Sequence, residues 1–343
     1  MHVAHAKKST EIAIKSSDAA VKVNRQMIIP CKFHKMRKIF FLIVVLLFCT
    51  YWVSAQQFIS LWPVGKMPNT KGMAETDSIF NERYYRVGNP GMYAFFPSKQ
   101  ENKGTAVVIC PGGGYHHYAY VGAMQVAKWF NTMGVSAFVL ISRLPLSADL
   151  VDRSLVPLQD AQRAMKIIRN KATEWGIQTD KLGVMGFSAG GHVASSVGVH
   201  TDDVSSIGDT LDKIPFRPDF MLLVSPVISM GDYAHTGSRD NLLGPKPSKD
   251  LLEKYSNELQ VTSQTPPAFM VCAENDPVVN PKNSLLFFTA LRDKKVSASL
   301  HIFPFGGHAI GLQNNPGSTR LWKELCEMWL IEKGFLIETN GSK

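Results

Sequence analysis

Cysteine is scarce in this chain, and its spacing matches no known framework. The 343 residues contain five cysteines, of which Cys110, Cys272 and Cys326 lie beyond residue 55. An odd number of widely separated cysteines excludes a disulfide scaffold and the paired spacing of a structural zinc site. Each of the three lies in a segment with the apolar pattern of a strand or a helix. We therefore predict three buried thiols that pack as small hydrophobic side chains.

Charged side chains are also sparse beyond the first 38 residues. The chain carries a formal net charge of +9, and 19% of its residues are charged. Nine lysines and arginines stand against Glu11 and Asp18 in residues 1–38, so this head carries +7 and the remainder only +2. A nearly neutral body offers no electrostatic surface for phosphates, and we expect no nucleic-acid partner. Nothing in the composition assigns an oligomeric state.

Long hydrophobic runs are absent except for one, at residues 39–53. Two cations stand between Met36 and this run, and the stretch reads "MRKIFFLIVVLLFCTYWVSAQQ". Val53 and Ala55 then occupy positions −3 and −1 of a cleavage site. A basic start, a short apolar run and small residues at the cut are typical of a secretory signal. We predict a signal peptide at residues 36–55 and export to the periplasm or the medium.

The segments on either side of this signal are interpreted differently. Residues 1–35 have neither a helical period nor a core pattern, and we interpret them as an over-extended N-terminus. Residues 56–343 have the composition of one large globular domain. The alternative is a signal anchor with a basic cytoplasmic tail, but the apolar run is short for a membrane span. Phe48 before Cys49 is too bulky for a lipoprotein cleavage site, so we expect no stable membrane anchor.

Strand-like and helix-like segments alternate through the exported part. Apolar residues step by three and four along 158–172, which indicates an amphipathic helix. The strand-like segments are nearly continuous apolar runs, which suit parallel strands covered on both faces. They are "TAVVIC" (105–110), "SAFVLI" (136–141), "KLGVMGF" (181–187), "DFMLLVS" (219–225) and "AFMVCA" (268–273). The pattern predicts an α/β fold, a doubly wound and mostly parallel sheet, with its chemistry beyond the carboxyl ends of the strands.

A glycine-bracketed serine, Ser188, follows one of these strands. It stands in "GVMGFSAGGH", with Gly186 and Gly190 on either side and a helix-like segment after it. A sharp strand-to-helix turn needs small neighbours, because the serine is strained and the helix passes close to the strand. The turn exposes the hydroxyl at a helix N-terminus, where partial positive charge favours a developing oxyanion. We predict a nucleophile; a small residue at a tight packing contact is the alternative.

A serine nucleophile needs a base and an orienting acid, which in this architecture follow it in the order acid, then histidine. His308 lies past a strand end in "FPFGGHAIGL", where glycines let the chain bend toward the serine. His301 lies inside the strand-like "SASLHIF" and is the weaker candidate. Asp276 follows "AFMVC" and precedes a proline that favours a turn. Glu274 and Asp232 are the rival acids.

A run of glycines in "CPGGGYHH" follows the first parallel strand. Such a loop lets backbone N–H groups approach a substrate carbonyl, and an oxyanion hole adds the N–H that follows the nucleophile. We predict donors at Gly113, Gly114 and Ala189, and a packed helix histidine at His192. A phosphate cradle is the alternative, but neither GxGxxG nor a P-loop lysine is present. The next three residues are predicted substrate contacts: Tyr115, His116 and His117.

These pieces together resemble the α/β-hydrolase superfamily, and most closely its acetylxylan-esterase-like, secreted bacterial esterases. The resembling stretches, which span about residues 60–332, are "LWPVGKMPNTKG", "ICPGGGY", "PLQDAQRAM", "WGIQTDKLGVMGFSAGGH", "TPPAFMVCAENDPVV" and "FPFGGHAIGL". Two stretches depart from the pattern. The loop "YHHYAYVGAMQVAKW" stands where relatives often carry an acidic residue and a glycine, and "SRLP" stands where a tyrosine often precedes Arg-Leu-Pro. Both departures are expected near the pocket and bear on the substrate.

The resemblance implies an α/β-hydrolase catalytic domain at residues 56–343 without a large cap domain. It implies a Ser188–Asp276–His308 triad, no metal and no organic cofactor, and short acyl esters as substrates, often acetyl groups on plant-wall sugars. The expected partner is thus an acylated carbohydrate such as xylan. Residues 226–267 contain "YAHTGSRDNLLG" and are the expected lid or rim. The alternatives are a feruloyl esterase, a prolyl-oligopeptidase-like peptidase, and a hydrolase-fold protein that binds glycan without turnover.

Overall fold

A computed structural model describes residues 57–308 and 310–337 of the chain. The predicted signal peptide at 36–55 and the interpreted over-extension at 1–35 lie outside these residues. Ten strands are present in the described part. They are β1 (Gln57–Ser60), β2 (Ser78–Phe80), β3 (Arg83–Arg86), β4 (Gly91–Phe95), β5 (Ala106–Cys110), β6 (Ser136–Ile141), β7 (Leu182–Phe187), β8 (Met221–Val224), β9 (Ala268–Ala273) and β10 (Ala298–Phe303).

Eight of these strands form one sheet in the order β1-β4-β6-β5-β7-β8-β9-β10. The pairs β1–β4 and β4–β6 are antiparallel, and all pairs from β6 to β10 are parallel. The predicted mostly parallel sheet is therefore confirmed. Strands β2 and β3 form a separate antiparallel hairpin outside this sheet. The four-residue edge strand β1 was not predicted, because so short a segment carries little alternating pattern.

The α-helices lie on both faces of the sheet. They are α1 (Tyr120–Thr132), α2 (Val156–Asn170), α3 (Ala172–Trp175), α4 (Ala189–Val199), α5 (Thr236–Leu243), α6 (Lys249–Tyr255), α7 (Lys282–Asp293) and α8 (Trp322–Glu332). Helices α2, α4 and α7 pack on one face, and α1 and α8 pack on the other. Along β5, Val108 contributes to the first core and Val107 to the second. This double burial explains why the strands are continuously apolar rather than alternating.

Residues of several of the resembling stretches meet in one buried ion-pair cluster that includes Arg143, just beyond the end of β6. Arg143 of "SRLP" pairs with Asp160 of "PLQDAQ" at 2.6 Å, and both side chains are almost fully buried. The indole N–H of Trp62 donates to Asp160 at 2.9 Å, and Arg143 donates to the carbonyl of Pro68 at 2.6 Å. Breaking a buried ion pair leaves an uncompensated charge in the interior, so this pair is a firm attachment point. Trp62 and Pro68 bond to it, and the N-terminal segment is thereby held onto the sheet.

The two departures from the family pattern touch each other. The hydroxyl of Tyr118, in the loop after the glycines, lies 2.6 Å from the hydroxyl of Ser142 in "SRLP". Both side chains are buried, and neither lines the pocket around Ser188. The two hydroxyls satisfy each other in the interior, while His116, His117 and Ala119 of the same loop line the pocket.

The segment between β8 and β9 carries only the short helices α5 and α6, so the described chain has no large cap domain. The thiols of Cys110, Cys272 and Cys326 are free and buried, as predicted. In the described part of the chain, no helix has both the length and the apolar character needed to cross a membrane.

Candidate active site

Ser188 occupies a strained turn between strand β7 and helix α4. Its backbone has φ 54° and ψ −123°, a conformation that non-glycine residues rarely adopt. A Cβ at Gly186 would overlap the carbonyl oxygen of Gly190, and a Cβ at Gly190 would overlap that of Cys110. Glycine is therefore required at both positions for the helix to pass this close to the sheet. The tight packing and the placement of Ser188 at the pocket result from the same turn.

The side chains of Ser188, His308 and Asp276 form one hydrogen-bonded chain. The Ser188 Oγ lies 2.8 Å from His308 Nε2, and His308 Nδ1 lies 2.8 Å from Asp276 Oδ2. An ionised carboxylate only accepts hydrogen bonds, so Nδ1 carries the proton and Nε2 is free to accept from the serine hydroxyl. This tautomer prepares His308 to take the serine proton.

Asp276 is placed to remain ionised. Burial alone would raise the pKa of this carboxyl, but hydrogen bonds from His308 and from the backbone N–H groups of Val279 and Val278 outweigh it and hold the pKa below its usual range. The Asp276 side chain is fully buried, whereas that of His308 is 22% exposed. The acid is thus shielded from water, and the base stays open to the pocket.

The rival residues lie elsewhere. His301 is in strand β10, where its Nε2 lies 3.0 Å from the Ser299 hydroxyl. Glu274 and Asp232 are exposed, and neither side chain is bonded to His308. The structure therefore brings together the three residues that the sequence favoured, and it leaves the rivals apart.

The predicted oxyanion donors lie beside the serine. A Cβ at Gly112 would lie 3.2 Å from the Ser188 Cβ, so the glycine loop passes directly against the nucleophile. Gly113 and Gly114 have φ values of 141° and 62°, which turn their N–H groups in directions that other residues rarely permit. Within 57–308 and 310–337, no acceptor is bonded to the N–H of Gly113, Gly114 or Ala189. Free donors at a helix N-terminus suit a developing oxyanion.

Tyr115 does not make the predicted substrate contact. Its side chain is only 2% exposed and points into the core, where its hydroxyl lies 2.7 Å from Nδ1 of His192. His192 Nε2 lies 2.7 Å from the Tyr255 carbonyl, so Nε2 donates there and Nδ1 accepts from Tyr115. His192 is thus the packed helix histidine that was predicted. Through it, Tyr115 fastens the glycine loop to helix α4.

His116 and His117 do line the pocket that holds Ser188. This pocket has a volume of about 660 Å³ and opens at the carboxyl ends of β5, β7 and β8. Arg83, from the β2–β3 hairpin, also borders it. Burial lowers the pKa of His117, and the neighbouring Arg83 lowers it further. Among the described residues, no group of three or more His, Cys, Asp or Glu side chains could hold a metal ion.

His235 is a pocket residue that the sequence did not single out within "YAHTGSRDNLLG". It caps helix α5, and its Nδ1 accepts the backbone N–H of Ser238 at 3.2 Å. Nδ1 therefore carries no proton, and a neutral ring must carry it on Nε2. Burial and the nearby His308 lower the pKa of His235 and keep it neutral. The sequence indicated a role for His235 only through its place in the predicted rim. Its position as a helix cap could not be predicted, because histidine is an uncommon residue at that position.

Known proteins resemble the chain in sequence and in structure. It is 38% identical over 255 residues to endo-1,4-beta-xylanase B of Butyrivibrio fibrisolvens, covering 72% of this chain and 39% of that one. It is 35% identical over 250 residues to the acetylxylan esterase of Xylanibacter ruminicola, covering 69% of this chain and 47% of that one. The chain thus spans less than half the length of either curated relative.

Solved structures resemble it over most of their length. An acetyl ester-xyloside bifunctional hydrolase from Caldicellulosiruptor lactoaceticus has a TM-score of 0.72 and 34% identity, covering 83% of this chain and 99% of that one. The carboxylesterase Cest-2923 from Lactobacillus plantarum has a TM-score of 0.63 and 23% identity, covering 77% and 99%, and bears on the fold alone.

The α/β-hydrolase fold that the resemblance implied is confirmed by these similarities, and so is the resemblance to acetylxylan-esterase-like proteins. A model of the BD-FAE family matches residues 92–291, which is more than half of the chain and includes Ser188 and Asp276. The chain therefore belongs to the BD-FAE family.

Proposed function

We propose that this protein is a serine carboxylesterase that removes short acyl groups, chiefly acetyl, from plant cell-wall polysaccharide such as xylan. One observation carries the proposal: the chain of 2.8 Å contacts from Ser188 through His308 to Asp276, built on a strained strand-to-helix turn. The names of three similar proteins, an acetylxylan esterase, a xylanase and an acetyl ester-xyloside hydrolase, support the substrate class.

The proposed reaction is a two-step acyl transfer. His308 takes the proton of Ser188 as the serine oxygen attacks the ester carbonyl, and the N–H groups of Gly113, Gly114 and Ala189 stabilise the oxyanion. The imidazolium then protonates the sugar oxygen as its bond to the acyl carbon breaks, which releases the sugar with a free hydroxyl and leaves an acyl-serine. Water, activated by His308, attacks the acyl group and releases the acid. Asp276 stabilises the positive charge on the imidazole in both steps without itself taking a proton.

The setting of the site is consistent with a polymeric substrate. No large cap domain covers the pocket in the described part, so a chain could lie across its mouth. Export through the signal peptide predicted at residues 36–55 would place the enzyme where such polymers occur.

A second candidate function is a feruloyl esterase, and one cavity favours it. A mostly apolar space of about 350 Å³ shares Gly112, Ala119 and Phe187 with the pocket of Ser188. Small residues of helix α1, Gly122 and Ala123, form another part of its wall. Such a space is larger than an acetyl group requires and suits a flat aromatic acyl group. A peptidase or a non-catalytic glycan binder has no comparable support.

Acetate release from acetylated xylan, compared between the wild type and Ser188→Ala, tests the proposal. We expect the wild type to release acetate and the variant to lose roughly 10⁴-fold or more in kcat. Hydrolysis of p-nitrophenyl acetate and of methyl ferulate, run in parallel, separates the two acyl preferences. A folded wild type no more active than Ser188→Ala on all three substrates would refute the esterase and leave glycan binding as the better hypothesis.

A further inference from the structure

Another cavity, separate from the apolar space beside helix α1, lies next to the pocket of Ser188, and we propose that it binds a neutral sugar ring of the same polysaccharide chain, with Tyr85 as its stacking surface. This inference rests on the proposed function and names a subsite for the polymer backbone. The cavity has a volume of about 400 Å³ and lies between residues 73–76, 85–87 and 144–149. This volume falls in the range of about 300–1,000 Å³ typical of sites for small organic ligands.

Only one layer of rings separates the cavity from the Ser188 pocket. The Tyr85 ring centroid is 5.5 Å from that of His117 and 5.7 Å from that of His116. Tyr85 lines the cavity, and both histidines line the pocket. Arg83, two residues earlier on β3 and therefore on the same face as Tyr85, borders the pocket. A chain with its ester at Ser188 would continue over these rings into the cavity.

The distance between the two cavities is held by the backbone. Tyr84, between Arg83 and Tyr85, is buried and pairs with Tyr118 through two backbone hydrogen bonds of 3.1 and 2.9 Å. Its hydroxyl lies 2.7 Å from that of Tyr93 on β4. The β2–β3 hairpin is therefore fixed both to the glycine loop and to the main sheet. A subsite on the hairpin keeps its spacing from Ser188, as binding of a regular polymer requires.

The lining of the cavity suits an uncharged polyhydroxyl ring. Leu144 and Leu146 offer apolar contact, and Ser147 donates to Glu75 at 2.7 Å. The carboxylates of Glu75 and Asp149 outnumber the single guanidinium of Arg86, which disfavours an anionic ligand. Arg86 has no ion pair among the described residues and is free to donate to hydroxyls. The half-buried Tyr85 presents a rigid apolar face to the C–H side of a sugar.

Two variants on the same hairpin test the subsite. Tyr85→Ala removes the proposed platform, whereas Phe80→Ala removes an exposed aromatic ring that lines neither cavity. The measured quantity is kcat/KM for an acetylated xylo-oligosaccharide divided by kcat/KM for p-nitrophenyl acetate. We expect Tyr85→Ala to lower this ratio about tenfold, mainly through KM. Tyr85→Phe, which keeps the ring, should restore most of it, and Phe80→Ala should keep the wild-type ratio.

A binding measurement separates failure of the subsite from failure of the proposed function. In the Ser188→Ala background, titration calorimetry with unacetylated xylotetraose should detect binding that Tyr85→Ala weakens about tenfold and Phe80→Ala does not. Absence of xylotetraose binding at millimolar concentration, or equal losses in both hairpin variants, would overturn the subsite. If acetylated xylan releases no acetate while xylotetraose binding still depends on Tyr85, the proposed function fails and the subsite stands.

Discussion

The buried imidazole of His192 should make the fold less stable in mild acid. Its pKa is lowered from 6.5 to about 4, because burial disfavours the charged ring more strongly than the hydrogen bond to the Tyr255 carbonyl favours it. The unfolded chain therefore takes up this proton first as the pH falls. Stability from this residue is complete above about pH 6.5 and is lost progressively between pH 6.5 and pH 4.

The size of the effect follows from the shift. At about 1.4 kcal/mol per pKa unit, lowering the pH from about 7 to about 5 costs roughly 2 kcal/mol of unfolding free energy for His192 alone. His200, whose pKa burial also lowers to about 4, adds a change in the same direction, while the raised pKa of Glu258 opposes it. A His192 variant is needed to isolate one residue from these contributions.

Urea denaturation of the wild type and of His192→Asn at the two pH values provides the assay. Asparagine does not titrate, and we expect its amide oxygen to take the position of Nδ1 and accept from the Tyr115 hydroxyl, which lies 2.7 Å from Nδ1 in the wild type. The variant loses the hydrogen bond to the Tyr255 carbonyl, which lowers its unfolding free energy by the same amount at both pH values. This loss therefore cancels when the change in unfolding free energy between the two pH values is compared between the wild type and the variant. We expect the wild type to lose roughly 2 kcal/mol more than the variant. Equal pH-dependent losses would refute the reasoning.

Three further predictions concern the site and its turn. Asp276→Asn should lower kcat for p-nitrophenyl acetate by about 10⁴-fold near neutral pH, because the amide no longer selects the productive His308 tautomer; a loss under about tenfold would contradict this role. Gly190→Ala should lower the unfolding free energy, measured by calorimetry, by about 1–3 kcal/mol. Gly122→Ala, in open space on helix α1, should instead raise it by about 0.5–1 kcal/mol. Similar changes in both variants would argue against the close approach of Gly190 to the carbonyl of Cys110. We expect the Nε2–H of His235 to donate to a sugar hydroxyl of the substrate. His235→Phe, which removes this donor, should lower kcat/KM for acetylated xylo-oligosaccharide about tenfold, and His235→Gln should retain most of it. An unchanged kcat/KM in both variants would exclude this hydrogen bond to the substrate.

Much of the site could be predicted because each signal was local. The strained turn at Ser188 demands glycines at fixed offsets, and those glycines are visible in "GFSAG". The acid and the base follow strand ends in chain order, and the parallel sheet brings strand ends to one edge. The structure places His308 within hydrogen-bonding distance of both Ser188 and Asp276, while the catalytic roles of the three residues stay predictions.

Side-chain direction in the irregular loops could not be predicted. Tyr115 follows three glycines and has a φ of 60°, which turns its ring into the core rather than toward the substrate. The contact between Tyr118 and Ser142 joins two segments 24 residues apart, and no periodicity in either segment indicates it. His235 reaches the pocket only because helix α5 starts there. Such positions depend on backbone turns that residue type alone does not specify.

The sequence by itself determined the mostly parallel sheet, the positions of its central parallel strands and the identity of the residues at their ends, because apolar runs and glycine spacings are local consequences of burial and of steric limits. The tertiary structure alone decided that Tyr115 is buried against His192, that His235 reaches the pocket, and that the β2–β3 hairpin stands beside the glycine loop. Those outcomes depend on how distant segments pack, and packing optimises buried contacts and hydrogen bonds over the whole molecule rather than within any one stretch.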